Sequence, residues 1–280
     1  MIISELKEFF KKQLSEIYTN SESSELFSIF CSSILGMDKF ELRISQNNII
    51  SEEQTEVFKK LISELQSGKP YQQILGETEF YGLQFFVDEN VLIPRPETEE
   101  LLELAISEIQ KRNVTDLKIL DIGTGSGIIP IVLKKNFPEA EVSAIDFSEK
   151  ALETAKKNAD FHKLDINFIH QNYLEENLSE VYDIIISNPP YIGMDEETDI
   201  ADSVKEFEPK VALFSPTSNA LIFYEKIADD CKNHLAENGM VFLEINQKLG
   251  EETKALFTDV LSMVYLVKDI SGNDRFVWGK

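Results

Sequence analysis

The chain has 280 residues, 42% of them hydrophobic, which is enough core for one large domain and a small one. Its net charge is −23; residues 1–75 carry 8 basic and 11 acidic side chains and residues 76–280 carry 19 and 39, so the larger segment is acidic and shows no basic track for a phosphate backbone. No apolar run approaches the ~20 residues of a membrane span, and the start, MIISELKEFFKKQ, is amphipathic and charged, without a signal-peptide core.

Residues 1–75 read as small helices. Ile2, Ile3, Leu6, Phe9, Phe10, Leu14 and Ile17 share one helical face. Leu26, Phe27, Ile29, Phe30, Ile34 and Leu35 form the next apolar set, which ends at Gly36, a residue suited to a left-handed helix terminus. Ser51-Glu52-Glu53-Gln54 has the pattern of a capping box ahead of Val57, Phe58, Leu61, Ile62 and Leu65, and Gly68 and Pro70 stop that helix. No catalytic constellation lies in this bundle. It either binds a partner or caps the larger domain.

Residues 74–96 read as a connector. Phe80-Tyr81 and Leu83–Val87 form a hairpin that turns near Gly82, and Ile93-Pro94-Arg95-Pro96 is stiff and extended. Arg95, held between prolines on a rigid support, can meet an acidic group or shape a site edge; solvent exposure is the default expectation, and no catalytic role is assigned to it. A helix then runs from about Glu97 to Lys111.

Ile119, Leu120 and Ile122 predict a buried strand, and Gly123, Gly125 and Gly127 predict a glycine turn into a helix, whose free N–H groups should point outward. The next strand, Glu141–Ile145, ends at Asp146, one βαβ half-turn beyond the glycines. An acidic residue there can accept both ribose hydroxyls of an adenosine-type ligand, or it can cap the helix that starts near Ser148. Asp121 stands just before the glycines. A carboxylate in that place repels a pyrophosphate and suits the ammonium of S-adenosylmethionine. After a third strand, Ile166–Ile169, Asn172 and Tyr173 are placed to meet an adenine edge and face.

The densest chemistry lies in VYDIIISNPPYIG, residues 181–193. Ile184, Ile185 and Ile186 form a buried strand, which Pro189 and Pro190 end because they lack N–H groups for a ladder. Pro189 also pushes Asn188 toward extended geometry. The result is a stiff loop at the carboxyl end of a strand, where open α/β sheets place ligands. Asn188 offers an acceptor and a donor, and Tyr191 a flat face, a set that suits a planar group bearing an NH2. An Asn-Pro-Pro run is also a common plain turn; the upstream glycine site tips the reading toward function.

Residues 194–210 read as a polar loop ending at Phe207-Glu208-Pro209, a lid over the site. A helix at Leu221–Leu235 closed by Gly239, a strand at Met240–Ile245, a helix near Glu251–Leu261 and two strands, Met263–Val267 and Asp274–Trp278, complete the chain. Cys31 and Cys231 are far apart and fit reduced core thiols in a cytoplasmic protein. His162, His170 and His234 show no metal spacing, and no metal site is expected.

These motifs together resemble a known family. Asp121–Gly127, Asp146 and Asn188–Tyr191 are similar to those of class I S-adenosylmethionine-dependent methyltransferases. The connector, ILGETEFYGLQFFVDENVLIPRPETEEL at 74–101, resembles that of the bacterial N5-glutamine methyltransferases of peptide chain release factors, as do Phe207-Glu208-Pro209 and Gly272-Asn273-Asp274-Arg275. The resemblance implies an α/β fold: a seven-stranded, mostly parallel Rossmann-like methyltransferase sheet, a small N-terminal helical domain and a β-hairpin connector. It implies a recognition domain at 1–73, a connector at 74–96 and a catalytic domain at 97–280. It implies S-adenosyl-L-methionine bound by Gly123, Thr124, Gly125, Ser126, Gly127, Asp146, Tyr173 and Asn188. It implies catalysis by Asn188, Pro189 and Tyr191, with the glutamine amide held by Asn188, Pro189, Pro190 and Tyr191. The expected substrate is the Gly-Gly-Gln loop of class 1 release factors, the expected consequence a modulation of translation termination, and the expected state a monomer away from membranes. The alternative is methylation of an adenine or guanine amino group in nucleic acid, which uses the same Asn-Pro-Pro-Tyr chemistry. The segment Glu244–Gln247 departs from the family pattern and receives no role.

Overall fold

The structure, a computed structural model, describes residues 1–112, 114, 116–193 and 202–280. Two compact units divide the chain at Gly76.

The first unit is helical: α1 (Ile3–Leu14), α2 (Asn20–Leu35), α3 (Lys39–Ile44), α4 (Glu52–Gln66) and the short α5 (Tyr71–Leu75). Its ends follow local chemistry. Thr19, Asp38 and Ser51 cap α2, α3 and α4, each in a reciprocal box with the third helical residue. Gly36 closes α2 at φ 65° and accounts for the stop. Phe10, Phe27, Phe30 and Phe58 fill the core; the rings of Phe10 and Phe27 meet edge-on with centroids 5.6 Å apart. Ile17, assigned by periodicity to the buried face, lies past the end of α1 and is 50% exposed.

The second unit begins with the hairpin of β1 (Glu77–Phe80) and β2 (Leu83–Phe86), whose two-residue turn has positive φ at Tyr81 and Gly82. Glu99 accepts the Tyr81 N–H at 2.6 Å and Glu103 its hydroxyl at 2.6 Å. Both acceptors lie on α6 (Pro96–Gln110), so the turn is pinned to that helix.

The main chain of elements continues with β3 (Lys118–Ile122), α7 (Ile128–Asn136), β4 (Glu141–Asp146), α8 (Glu149–His162), β5 (Asn167–His170) and β6 (Tyr182–Ser187). Next come α9 (Asp202–Phe207), α10 (Lys210–Leu213), α11 (Ile222–His234), β7 (Leu235–Glu244), α12 (Gly250–Phe257), β8 (Val264–Lys268) and β9 (Asp274–Gly279). The seven strands run in the order β5-β4-β3-β6-β7-β9-β8, with β9 antiparallel to both its neighbours and the pairs from β5 to β7 parallel. Alternation sorts the strand residues to two faces. Ile119, Ile184, Ile186 and Phe242 pack on one side with α6 and α7, while Leu120, Ile122, Ile185 and Leu243 pack on the other with Tyr224 and Ile227 of α11.

From β3 the chain steps outward through β4 to β5 and then returns to β6 on the other side of β3, so the sheet has its switch point between β3 and β6. Ile122 pairs with Ser187, which sets Gly123 and Asn188 side by side at the carboxyl edge.

Several elements differ from expectation. Gly239 does not close α11: the helix ends at His234, Leu235 pairs at once with Tyr182, and residues up to Met240 form a bulge in which Asn238 sits at φ 61°. Of the segment 194–210 read as a polar loop, residues 202–207 are helical and a second short helix, 210–213, begins at its end; residues 194–201 lie outside the described residues. The helix expected to reach Leu261 stops at Phe257. No helix among the described residues is long and apolar enough to cross a membrane.

Candidate active site

The glycine turn joins β3 to α7. Gly123, Gly125 and Gly127 have φ of 75°, 56° and 81°. Gly127 has a second constraint: an added Cβ would lie 3.0 Å from Ala155 Cβ, because α8 packs directly against the turn. Asn158, wholly buried in α8, donates to the Ser126 carbonyl at 2.8 Å and exchanges hydrogen bonds with both backbone groups of Phe86, so one side chain fixes the turn to the hairpin.

The turn spends part of its N–H groups internally, while those of Ser126, Ile128 and Ile129 at the start of α7 have no acceptor among the described residues. The Gly123 and Thr124 N–H groups donate to the Ile145 carbonyl, Gly125 N–H to Asp146 Oδ2 at 2.8 Å and Gly127 N–H to the Thr124 carbonyl. These four donors are taken, and no anion nest is left among them. Beside them Asp121 is fully buried, and neither carboxylate oxygen has a hydrogen-bond partner among the described residues. Burial pushes its carboxyl up to about 7, helped by the Asp146 charge and opposed by the nearby Thr124 hydroxyl. An orphaned buried carboxylate at this turn fits a cation, such as the ammonium of S-adenosylmethionine, and disfavours a pyrophosphate beside it.

Asp146 ends β4. Its Oδ1 accepts the Ser148 N–H and its Oδ2 the Gly125 N–H, both at 2.8 Å. Burial raises its carboxyl above the ordinary range, and these N–H groups pull it back. Each oxygen keeps a lone pair for a ligand hydroxyl. Ser148, not Asp146, caps α8 through the Ala151 N–H.

Tyr173 does not offer the open stacking face expected of it. It is 4% exposed, packs among Ile145, Leu178 and Tyr182, and donates its hydroxyl to Asp230 at 2.7 Å. Lys226 bonds the same carboxylate at 2.7 Å. Burial and Asp230 raise the phenol far above its usual range, so it stays protonated.

The Asn188–Tyr191 loop leaves β6 with Ser187 Oγ bonded to the Ile122 carbonyl at 2.7 Å. Asn188 Nδ2 donates to Thr98 Oγ1 at 3.1 Å, and Asn188 Oδ1 makes no hydrogen bond among the described residues. Pro189 is buried and Tyr191 half-buried. Tyr191 donates its hydroxyl to Glu244 at 3.2 Å and accepts Asn246 Nδ2 at its carbonyl. Burial and the Glu244 charge hold the Tyr191 phenol well above its ordinary value. A cavity of about 210 Å³ opens here, lined by Leu92, Arg95, Asn188, Pro189, Tyr191 and Leu213 among others. It is smaller than the ~300–1,000 Å³ of a typical small-molecule site and suits a single side chain.

One contributor is not legible in the sequence: Glu244, a position without an assigned role, is 1% exposed and touches the loop. Arg95 takes the alternative to solvent exposure, meeting an acidic group at the edge of the cavity. It pairs with Glu208 at 2.5 Å, and Glu208 also accepts the Ile93 N–H at 3.0 Å. The three histidines each bond a backbone carbonyl, of Gln84, Phe147 and Glu180.

Residues 100–206 match the family model for the methyltransferase small domain, and residues 5–76 match the PrmC N-terminal domain. The fold is shared with a T. thermophilus 16S rRNA methyltransferase solved with AdoMet and guanosine, at TM-score 0.53 and 17% identity, covering 73% of this chain and 49% of that one. It is shared too with a Pyrococcus furiosus methyltransferase, at TM-score 0.51 and 16% identity over 78% of this chain and 98% of that one. Fold and site thus define an S-adenosylmethionine-dependent methyltransferase. The release factor glutamine methyltransferase of Flavobacterium psychrophilum is 44% identical over 99% of this chain and 98% of its own length. Those of Lactococcus lactis and Bacteroides thetaiotaomicron are 42% and 37% identical, over 84% and 96% of this chain and 87% and 96% of their own lengths. The chain belongs to the release factor glutamine methyltransferase family.

Proposed function

We propose that this enzyme transfers a methyl group to the side-chain amide nitrogen of the glutamine in the Gly-Gly-Gln loop of class 1 peptide chain release factors, and so modulates translation termination. The observation that carries the reading is Asn188, whose Oδ1 makes no hydrogen bond among the described residues, in the lining of a side-chain-sized cavity one strand away from the orphaned Asp121 carboxylate.

An amide nitrogen is a poor nucleophile because its lone pair is delocalised, and no carboxylate or imidazole deprotonates it outright at neutral pH. The chain therefore works by positioning. Asn188 Oδ1 and the Pro189 carbonyl accept the two amide hydrogens. Both bonds tighten as positive charge develops on nitrogen, which favours the transition state over the ground state. Tyr191 packs on the amide plane and Pro190 stiffens the loop. Gly123–Gly127, Asp146, Asn188 and the loop at Tyr173 hold S-adenosylmethionine, with Asp121 on its ammonium. When bound, that group supplies an electrophilic methyl on a sulfonium. Near-attack alignment of two reactants can supply on the order of 7–11 kcal/mol. The amide proton then leaves to water.

We assign residues 1–73 to recognition of the release factor, 74–96 to the connector and 97–280 to catalysis. Phe40 and Ile44, one turn apart on α3, are each 68% exposed and offer the first unit an apolar contact. We take the enzyme to be a monomer; action on protein rather than nucleic acid is supported by the net charge of −23, and a cytoplasmic setting by two buried cysteines that are both free. The test uses tritiated S-adenosylmethionine with release factor, its Gln-substituted loop variant and total RNA as parallel acceptors. Label should enter the unsubstituted factor alone. Label in RNA and none in the factor would move the chemistry to nucleic acid.

A further inference from the structure

Glu244, the last residue of β7, holds two groups of the site at once. Thr98, in the first turn of α6, donates its hydroxyl to Glu244 Oε2 at 2.7 Å, and Tyr191 donates its hydroxyl to Oε1 at 3.2 Å. Thr98 Oγ1 in turn accepts Asn188 Nδ2 at 3.1 Å. All of Thr98 but 2% is buried. We propose that Glu244, acting through Thr98, decides which end of the Asn188 amide faces the cavity, making both of them positioning residues for methyl transfer. The inference rests on the reading of Asn188 given above.

The number of available protons fixes the orientation. An ionised carboxylate only accepts. The Thr98 hydroxyl has one hydrogen, and an ionised Glu244 takes it. Thr98 Oγ1 is then an acceptor only, and of the two ends of the Asn188 amide only the NH2 satisfies it. The carbonyl end is turned to the cavity, where an acceptor for a substrate N–H is required. Protonated Glu244 reverses the order: it donates to Thr98 Oγ1, the Thr98 hydrogen is released toward Asn188, and the amide is favoured in the flipped orientation. NH2 then meets NH2, donor against donor.

The surroundings place this switch in reach of ordinary pH. Burial pushes the Glu244 carboxyl up to about 7, with Thr98, Arg275 of β9 and Tyr191 opposing and Glu97 of α6 adding to the rise. Tyr224 of α11 donates its hydroxyl to the Glu244 carbonyl at 3.1 Å. Asp269 pairs with Arg275 at 3.1 Å and so tempers the guanidinium that faces Glu244. Because the carboxyl titrates above its usual range, its ionised fraction, and with it the productive orientation, is lost as pH falls through about 7.

The experiment measures kcat against pH at saturating S-adenosylmethionine and release factor, which keeps the titration of Asp121 out of the profile. The parent should show a one-proton acid limb near pH 7. Thr98→Val should lose roughly tenfold or more in kcat at about pH 8, keep calorimetric cofactor affinity within about twofold, and lack the limb. Thr98→Ser keeps the hydroxyl and should restore both rate and limb. A 13C NMR titration of the Glu244 carboxyl, assigned with Glu244→Gln, should give a midpoint near 7 without reference to turnover. Parental kcat in Thr98→Val, or equal losses in the Val and Ser variants, overturns the relay, and a Glu244 midpoint in the ordinary carboxylate range overturns its pH switch. Asn188→Ala separates the two claims: if it is inactive while Thr98→Val is normal, the relay alone falls, and if it is active both fall.

Discussion

Arg95 and Glu208 form a 2.5 Å ion pair across 113 residues of sequence, with the Glu208 side chain 1% exposed and that of Arg95 35% exposed. The pair ties the segment beyond the Asn188–Tyr191 loop to the connector, at the rim of the cavity that Arg95 lines. Arg95→Ala leaves a buried carboxylate with the Ile93 N–H as its remaining donor. Breaking a buried pair costs ~3–5 kcal/mol, but Arg95 is partly screened by solvent, so about 2 kcal/mol is expected here. That corresponds to a melting point lower by roughly 4–8 °C for a unit of this size. Glu208→Gln, which removes the buried charge and keeps an acceptor for Ile93, should cost less. Melting curves that rank the two variants the other way would show that the charge pair is not what holds the segment.

Asn188→Ala should lose turnover by about two to three orders of magnitude, the scale seen when one preorganised transition-state partner is removed. Cofactor affinity should fall far less, because in the proposed reading the turn and Asp146 hold that ligand independently. Tyr191→Phe keeps the ring and removes only the bond to Glu244 at 3.2 Å, so its effect should be a few-fold on kcat. Single-turnover rates beside calorimetric affinities make the distinction. Near-normal turnover in Asn188→Ala would remove Asn188 from the chemistry.

Asp121 gives a pH signature of its own. Its carboxyl titrates near 7 in the free enzyme against an ordinary value of 3.8. A carboxyl raised in the folded state binds its proton more tightly there than in the unfolded chain. The free enzyme therefore loses stability as pH rises from about 4 to about 7, by up to a few kcal/mol from this group. Asp121→Asn removes that loss, so its melting point should gain on the parent as pH is raised through this window, while its affinity for S-adenosylmethionine drops. A cationic ligand opposite Asp121 should stabilise the parent most above pH 7. Melting curves from pH 5 to 8.5, with and without cofactor, test both halves. A parent–variant difference that is constant across pH would mean that Asp121 does not titrate in this range.

The motifs legible in the sequence are those made within a few residues. Asp121–Gly127 needs only a strand, a glycine turn and a helix in succession, and Asn188–Tyr191 announces itself by two prolines that end an Ile run. The contributors that were missed act across the sheet. Glu244 matters because Leu243 pairs with Ser187, so that the next residue lies beside Asn188. A carboxylate closing the apolar run Val241–Leu243 was the available signal, and periodicity alone gives it no partner. Thr98 lies 90 residues before Asn188, and Asn158 lies 72 after Phe86. Such pairings follow from strand order, which local pattern does not contain. Gly239 misled for a related reason: glycine after a helical run reads as a helix stop, but here an added Cβ would lie 2.7 Å from Leu235 Cγ, and the residue serves a bulge in β7.

Tyr173 and Asp146, both expected at the cofactor, make different contacts in the structure. Asp146 faces the turn with lone pairs to spare, so Asp146→Ala should weaken S-adenosylmethionine binding by roughly 1–3 kcal/mol for lost charge-assisted hydrogen bonds. The Tyr173 hydroxyl instead anchors its loop to Asp230 of α11 at 2.7 Å, beside Lys226. Tyr173→Phe should therefore cost about 1 kcal/mol of stability, since Asp230 keeps Lys226, and should leave cofactor affinity unchanged. Tyr173→Ala removes a buried ring and should cost about 3–5 kcal/mol in stability, with any loss of affinity following from the displaced loop. Calorimetric affinities and denaturant midpoints on the three variants give the comparison. An affinity loss in Tyr173→Phe as large as that in Asp146→Ala would place the phenol, and not only the ring, against the bound ligand.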